Sequence, residues 1–160
     1  MAKWRVGIIG NGGICKGAHL EEYLNDDRIE VVALCDIIEE RAIALRDKYF
    51  PNAAVYTDYK ELLKDESIEV VHVLTPNREH AQITVDALYA GKHVMCEKPM
   101  AINSAEALKM LEAAKRTGKK LTIGYQNRQC AESRYLKMEA EQDTFGHIYY
   151  ARAMALRRRG

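Results

Sequence analysis

Long hydrophobic runs are missing from this 160-residue chain. No apolar stretch approaches the roughly 20 residues a membrane-spanning helix needs, so no membrane partner is expected. The start, Met1-Ala2-Lys3-Trp4, passes straight into the apolar segment Val6–Ile9 without the architecture of a signal peptide. An excess of one charge is missing too. Lys and Arg number 24 against 23 Asp and Glu, so no basic field argues for nucleic acid. Cysteine is sparse, and Cys15, Cys35, Cys96 and Cys130 are scattered with no C-x-x-C pair. That spacing disfavours a disulfide framework and a zinc site, and it fits reduced thiols in the cytoplasm. No set of His, Asp, Glu and Cys has metal-ligand spacing, so no metal is expected. Internal repeats and low-complexity linkers are likewise absent. What remains is a chain 48% apolar and 29% charged, long enough to bury a real core as one ordinary domain.

Apolar β-rich runs alternate with longer amphipathic stretches. The pattern predicts strands at 4–9, 29–35, 54–56, 70–74, 93–96 and 121–123. Between them it predicts helices at 14–24, 38–49, 59–63, 79–90 and 104–117. Val31-Val32-Ala33-Leu34 and Val70-Val71-His72-Val73-Leu74 are nearly continuous apolar runs, as strands covered on both faces should be. Ser104 is a candidate helix N-cap, and Gly91 and Gly118 stand where helices should stop. Strict alternation of this kind implies an α/β fold, a doubly wound parallel sheet of the Rossmann type. After Gly124 the rhythm breaks. A polar stretch (125–129), a helix around 131–141 and a turn at Phe145-Gly146 are expected, followed by a strand at 148–156. The basic end Arg157-Arg158-Arg159-Gly160 is too short to signal a nucleic-acid patch. These features place a dinucleotide-binding domain at 1–125 and a linker with the beginning of a second domain at 126–160.

Gly10-Asn11-Gly12-Gly13-Ile14-Cys15 follows the first strand and opens the first helix, where a dinucleotide fingerprint belongs. Gly10 permits the tight turn and Gly12 lets the backbone approach a pyrophosphate, which the helix N-terminus favours. The third position of the motif wants a tiny residue. Cys15 stands there, and slightly looser helix–strand packing is expected. Asp36 ends the second strand, where its carboxylate can accept hydrogen bonds from an adenosine ribose, favouring NAD over NADP. It could equally act as a helix N-cap. Arg41, one turn later, keeps NADP open as a cofactor.

Glu97-Lys98-Pro99 closes the fifth strand. Proline forces its predecessor out of helical geometry, so Lys98 should be held extended at the end of the sheet that faces the ligand crevice. A cation there can polarise a substrate oxygen or relay its proton. An ordinary strand-to-helix turn with a surface lysine is the plainer alternative.

Together with the glycine loop, two stretches carry a resemblance: Thr75-Pro76-Asn77-Arg78-Glu79-His80, and the run from Ala87 through Gly91-Lys92-His93-Val94-Met95-Cys96 to Glu97-Lys98-Pro99. The chain resembles the glucose–fructose oxidoreductase and inositol dehydrogenase family, which includes the rhizopine-catabolism dehydrogenases, from Trp4 through Asn127-Arg128. The resemblance implies an NAD(P)-dependent oxidoreductase acting on a secondary hydroxyl of a sugar, cyclitol or polyol. It implies that Gly10, Gly12, Gly13 and Ile14 line the pyrophosphate and Asp36 the ribose. Thr75, Pro76, Asn77 and His80 would border the cofactor, Glu97 would sit near the nicotinamide, and Lys98 would contact the reacting hydroxyl. Asn127 and Arg128 would edge the substrate pocket.

Members of that family are much longer than this chain and carry a second α/β domain, so a truncated form is expected, ending on that domain's first strand. A non-catalytic dinucleotide-binding module or regulatory subunit is the rival reading. The unpaired final strand predicts a homodimer, or disorder beyond about Phe145. Of the other histidines, His72 reads as a satisfied core residue and His19 as packing on a neighbouring segment. His93 and His147 receive no role.

Overall fold

The computed structural model describes residues 3–154 and divides the chain into two units, Met1–Gly124 and Tyr125–Gly160. In the first unit six strands form one parallel sheet. They are β1 (Trp4–Ile9), β2 (Ile29–Cys35), β3 (Ala54–Tyr56), β4 (Val70–Val73), β5 (His93–Cys96) and β6 (Leu121–Ile123). Their spatial order is β3-β2-β1-β4-β5-β6, so the chain winds outward to one side of β1 and then restarts on the other. The doubly wound sheet read from the sequence is this one.

Helices cover both faces because successive side chains on a strand point opposite ways. On β1, Ile8 joins one buried cluster and Ile9 the other; on β2, Leu34 and Ala33 part in the same manner. One cluster is closed by α3 (Tyr59–Leu63), α4 (His80–Tyr89) and α5 (Ser104–Thr117), through residues such as Leu62, Leu88 and Met110. The other is closed by α1 (Leu20–Asn25) and α2 (Glu39–Tyr49), through Tyr23, Ala42 and Leu45.

The helix ends follow their side chains, with two corrections. α5 is capped by Asn103, whose side chain accepts the Glu106 N–H at 2.9 Å, and not by Ser104. Both residue types cap well, and asparagine comes first along the chain. α5 then stops at Gly118 in the left-handed conformation (φ +68°), and Gly91 (φ +80°) follows the end of α4. The second correction lies after β1. The helix expected over 14–24 is helical throughout, from 13 to 25, but takes a π turn at Cys15–His19 before α1.

The second unit holds a 3-10 turn at Gln126–Gln129 and α6 (Ala131–Glu141), the helix expected there. The expected strand does not form: residues 148–154 have no regular secondary structure, and 155 and 156 lie outside the described residues, as does the basic end. A strand is held by hydrogen bonds to a neighbour, and among the described residues none pairs with this segment. No described helix is long and apolar enough to cross a membrane.

Candidate functional site

Parallel pairing sets Ile9 beside Val73, and Val73 beside Cys96, so the carboxyl ends of β1, β4 and β5 share one edge of the sheet. The strand order reverses between β1 and β4, the place where such sheets form their crevice. Three loops meet there: the glycine loop after β1, Thr75-Pro76-Asn77 after β4, and Glu97-Lys98-Pro99 after β5.

The glycine loop is built around one compulsory glycine. Gly10 has φ +96°, and a Cβ on it would lie 2.7 Å from the carbonyl carbon and oxygen of Leu74. Its N–H donates to the Cys35 carbonyl at 2.8 Å, which ties the loop to the end of β2. Gly12 and Gly13 are the reverse case: a Cβ on either would meet nothing within 4 Å. Their bare backbone borders open space at the start of a helix, the cradle an anionic pyrophosphate needs. Ile14, next in line, is exposed. Cys15 is fully buried in the cluster beneath α1. Burial pushes its thiol up to about 11, which leaves it inert.

Asp36 is buried, and its carboxylate organises two loops. Oδ2 accepts the Asn11 N–H at 2.7 Å and Oδ1 the Ile38 N–H at 2.9 Å. It is not the cap of α2, which begins at Glu39. A carboxylate has about four acceptor positions, so two remain for a ribose hydroxyl. Arg41 approaches from α2, its Nη1 3.8 Å from Oδ1.

Across the crevice Pro76 and Asn77 are exposed, while the Thr75 hydroxyl is buried without a hydrogen-bond partner among the described residues. The Asn11 amide is buried with no nitrogen or oxygen partner either. Buried polar atoms of this kind are normally paired. The Asn11 amide lies against the Cys15 thiol instead, so the unpaired Thr75 hydroxyl and the open glycines are what fit a polar ligand such as a dinucleotide.

His80 departs from its expected place. Only 1% exposed, it does not border the crevice; its Nδ1 lies 2.7 Å from the Pro99 carbonyl oxygen and its Nε2 2.9 Å from that of Thr75. The ring fastens the loop after β4 to the loop carrying Lys98. Its place at the very start of α4, directly beneath both loops, leaves it no open side.

Glu97 is 7% exposed, and both its oxygens are engaged. Oε2 accepts the Lys98 N–H at 3.0 Å, and Oε1 accepts from His19 Nε2 at 2.9 Å. Lys98 itself is exposed, and among the described residues its ammonium makes no hydrogen bond or ion pair. The His19 contact is what sequence reasoning missed, since 78 positions separate the partners and no local pattern announces their meeting. His72 is the satisfied histidine expected: its Nδ1 and the Tyr23 hydroxyl share a hydrogen bond at 2.6 Å, and burial lowers its pKa to about 4.

Asn127 and Arg128 lie on the 3-10 turn of the second unit, both exposed, with the Arg128 guanidinium 5.4 Å over the Tyr125 ring. Within that unit they line a groove with Arg134, Lys137 and Glu141.

A six-stranded doubly wound sheet with a glycine cradle at its switch point, and an acid ending the second strand, defines a dinucleotide-binding domain. The oxidoreductase family with an NAD-binding Rossmann fold matches residues 4–125, and the chain belongs to it. Among curated proteins, the D-glucoside 3-dehydrogenase of Escherichia coli is 38% identical over 98% of this chain and 44% of its own length. The inositol 2-dehydrogenase of Salmonella typhimurium is 41% identical over 78% of this chain and 37% of its own. Among solved structures, the WlbA dehydrogenase of Bordetella pertussis, in complex with NADH and UDP-GlcNAcA, superposes with a TM-score of 0.86. It is 30% identical and covers 92% of this chain, which spans 42% of that one. The chain thus spans less than half the length of these relatives.

Proposed function

We propose that this chain is the cofactor-binding part of a dehydrogenase that transfers hydride between nicotinamide and a secondary hydroxyl of a sugar, cyclitol or polyol, with NAD preferred over NADP. One observation carries the reading. Lys98 stands exposed on the same sheet edge as the open Gly12-Gly13 backbone, while its two neighbours in sequence are anchored, Glu97 by His19 and Pro99 by His80. A domain that only held a dinucleotide has no need of a braced lysine there. The named relatives act on glucosides and inositols, which supports the substrate class.

In this reading the nicotinamide supplies the hydride chemistry when bound, and the chain supplies position and charge. Gly10, Gly12, Gly13 and Ile14 hold the pyrophosphate by backbone and helix dipole. Asp36 accepts a ribose hydroxyl, and its negative charge opposes a 2′-phosphate. Thr75, Pro76 and Asn77 border the cofactor, with Thr75 offering its unpaired hydroxyl. Lys98 donates to the reacting oxygen, stabilises the charge that develops on it as the hydride leaves the carbon, and relays the hydroxyl proton to solvent. Glu97, with both oxygens engaged, braces the loop and is no free base. Asn127 and Arg128 edge the substrate.

Fluorescence titration of the chain with NADH and NADPH tests the reading. Saturable binding, tighter for NADH, is expected. Preference for NADPH moves the ribose assignment to Arg41, and no binding by a folded chain overturns the proposal. For Lys98, near-normal turnover of a full-length relative bearing the matching Lys→Ala change would remove its role.

The four cysteines are free, three of them buried, which supports a reducing compartment such as the cytoplasm. Self-association is supported by the exposed apolar residues Phe145, Ile148, Tyr149 (91% exposed) and Tyr150. Light scattering that finds only monomer at every concentration sinks that proposal.

A further inference from the structure

We infer that His19 is a positioning residue that ties the glycine-loop helix to the Lys98 loop, so that the pyrophosphate end and the nicotinamide end of the crevice are held as one piece. The inference rests on the dinucleotide reading above, where His19 only anchors Glu97, and gives that contact a separate effect on the nicotinamide end of the cofactor.

The contact is well defined. A carboxylate only accepts, so His19 Nε2–H is the donor to Glu97 Oε1 at 2.9 Å. Both side chains are largely shielded from water, where a charge-assisted bond keeps more of its strength than on the surface. The second oxygen of Glu97 holds the Lys98 backbone N–H, so the path from His19 to Lys98 runs through one side chain.

His19 is itself fixed. It is the last residue of the π turn, and such turns insert an extra residue that re-aims the side chains after it; they cluster at functional sites. Its ring stacks on Tyr23 of α1 with 6.2 Å between centroids and 25° between planes, and Tyr23 in turn bonds His72 of β4. From the far side Gly124 leaves room for the carboxylate: a Cβ there would lie 3.1 Å from Glu97 Oε1 and 3.3 Å from Cδ. Glu97 is therefore held on three sides, by its own loop, by His19 and by the end of β6. A carboxylate so placed cannot move without moving the Lys98 backbone.

This geometry makes a claim that a merely structural histidine would not meet. Loss of His19 should loosen the nicotinamide end while sparing the adenine end. The test compares NADH with ADP-ribose, which lacks the nicotinamide, on the full chain and on His19→Ala, His19→Gln and Glu97→Gln. Expected are a roughly tenfold weaker NADH affinity for His19→Ala, of the size that loss of a charge-assisted bond gives, and ADP-ribose affinity within about twofold of the unchanged chain. His19→Gln, whose amide N–H can reach the carboxylate, should recover part of the loss. His19→Ala and Glu97→Gln combined should cost less than the sum of the two, as partners in one contact do. Urea midpoints for each variant keep a folding defect apart from a binding defect.

NADH and ADP-ribose weakening together, or neither changing, overturns the inference and leaves the dinucleotide reading standing. Additive losses in the double variant overturn it as well. An unchanged chain that is folded yet binds neither ligand overturns the dinucleotide reading, and this inference falls with it.

Discussion

The two units of this chain are built from similar amphipathic material, yet among the described residues only the first has an interior. In Met1–Gly124 two clusters of buried residues sandwich the sheet. Among the described residues after Gly124 none is buried, and Tyr135, Leu136, Met138, Phe145 and Ile148 all face solvent. α6 nevertheless forms, because a helix closes its own hydrogen bonds and gains a little from pairs such as Lys137–Glu141 at 3.5 Å. The segment at 148–154, apolar and rich in strand formers, does not. Local propensity makes a helix visible on its own, whereas a strand exists only with its neighbour. Stability in this chain should therefore be strongly uneven, and substitutions can expose the unevenness.

The largest effect is expected at Gly10. Alanine there meets the Leu74 backbone at 2.7 Å in a conformation L residues avoid, and neither side can yield cheaply. A loss of about 3 kcal/mol or more is expected in urea unfolding. Gly12→Ala, two residues on, meets nothing and should leave the midpoint within about 0.5 kcal/mol while weakening NADH. If both were harmless to folding, the glycine loop would not belong to the rigid unit.

A second effect, of intermediate size, comes from pH. His72 is held neutral in the fold, with its pKa lowered from 6.5 to about 4 by burial and its Nδ1 hydrogen-bonded to the Tyr23 hydroxyl. The folded state thus binds fewer protons than the unfolded one between those values. Its contribution is complete above about pH 7, falls as pH drops through 6.5, and levels off below about 4. By pH 5 the loss from this group amounts to about 2 kcal/mol. Urea midpoints at pH 7 and pH 5 for the chain and for His72→Phe should differ by that amount. Equal slopes would mean that His72 is not sealed within the fold.

How much of this was legible in the sequence depends on the same contrast. The strands of the sheet could be read almost to the residue, because those covered on both faces leave unbroken apolar runs such as Val31–Leu34. Gly10 could be read because the tight turn after β1 makes a local demand that only glycine meets. Asn103 was displaced by a single position, since Asn-Ser offers two good caps in a row. The π turn left no local mark. His80 looked like a crevice residue from its motif, although its ring turns inward to two carbonyls. His19 and Glu97 needed the third dimension. The strand expected at 148–156 failed for the opposite reason, since its pattern was local and its requirement was not.

The smallest expected effect is the sharpest probe of the second unit. Leu88, 0% exposed on α4, and Leu136, 57% exposed on α6, are the same side chain on two helices. Leu88→Ala removes buried methyl groups and leaves a cavity, at a cost of about 2–5 kcal/mol. Leu136→Ala removes atoms already in water, and at low-micromolar protein it should cost about 0.5 kcal/mol or less. Concentration then separates two causes for any larger cost. If the apolar side chains of this unit cover one another between copies, the cost of Leu136→Ala grows with protein concentration, because association stabilises by mass action. A cost that is large and the same at every concentration means that α6 packs within its own chain, and the division into an interior unit and an exposed one would be wrong.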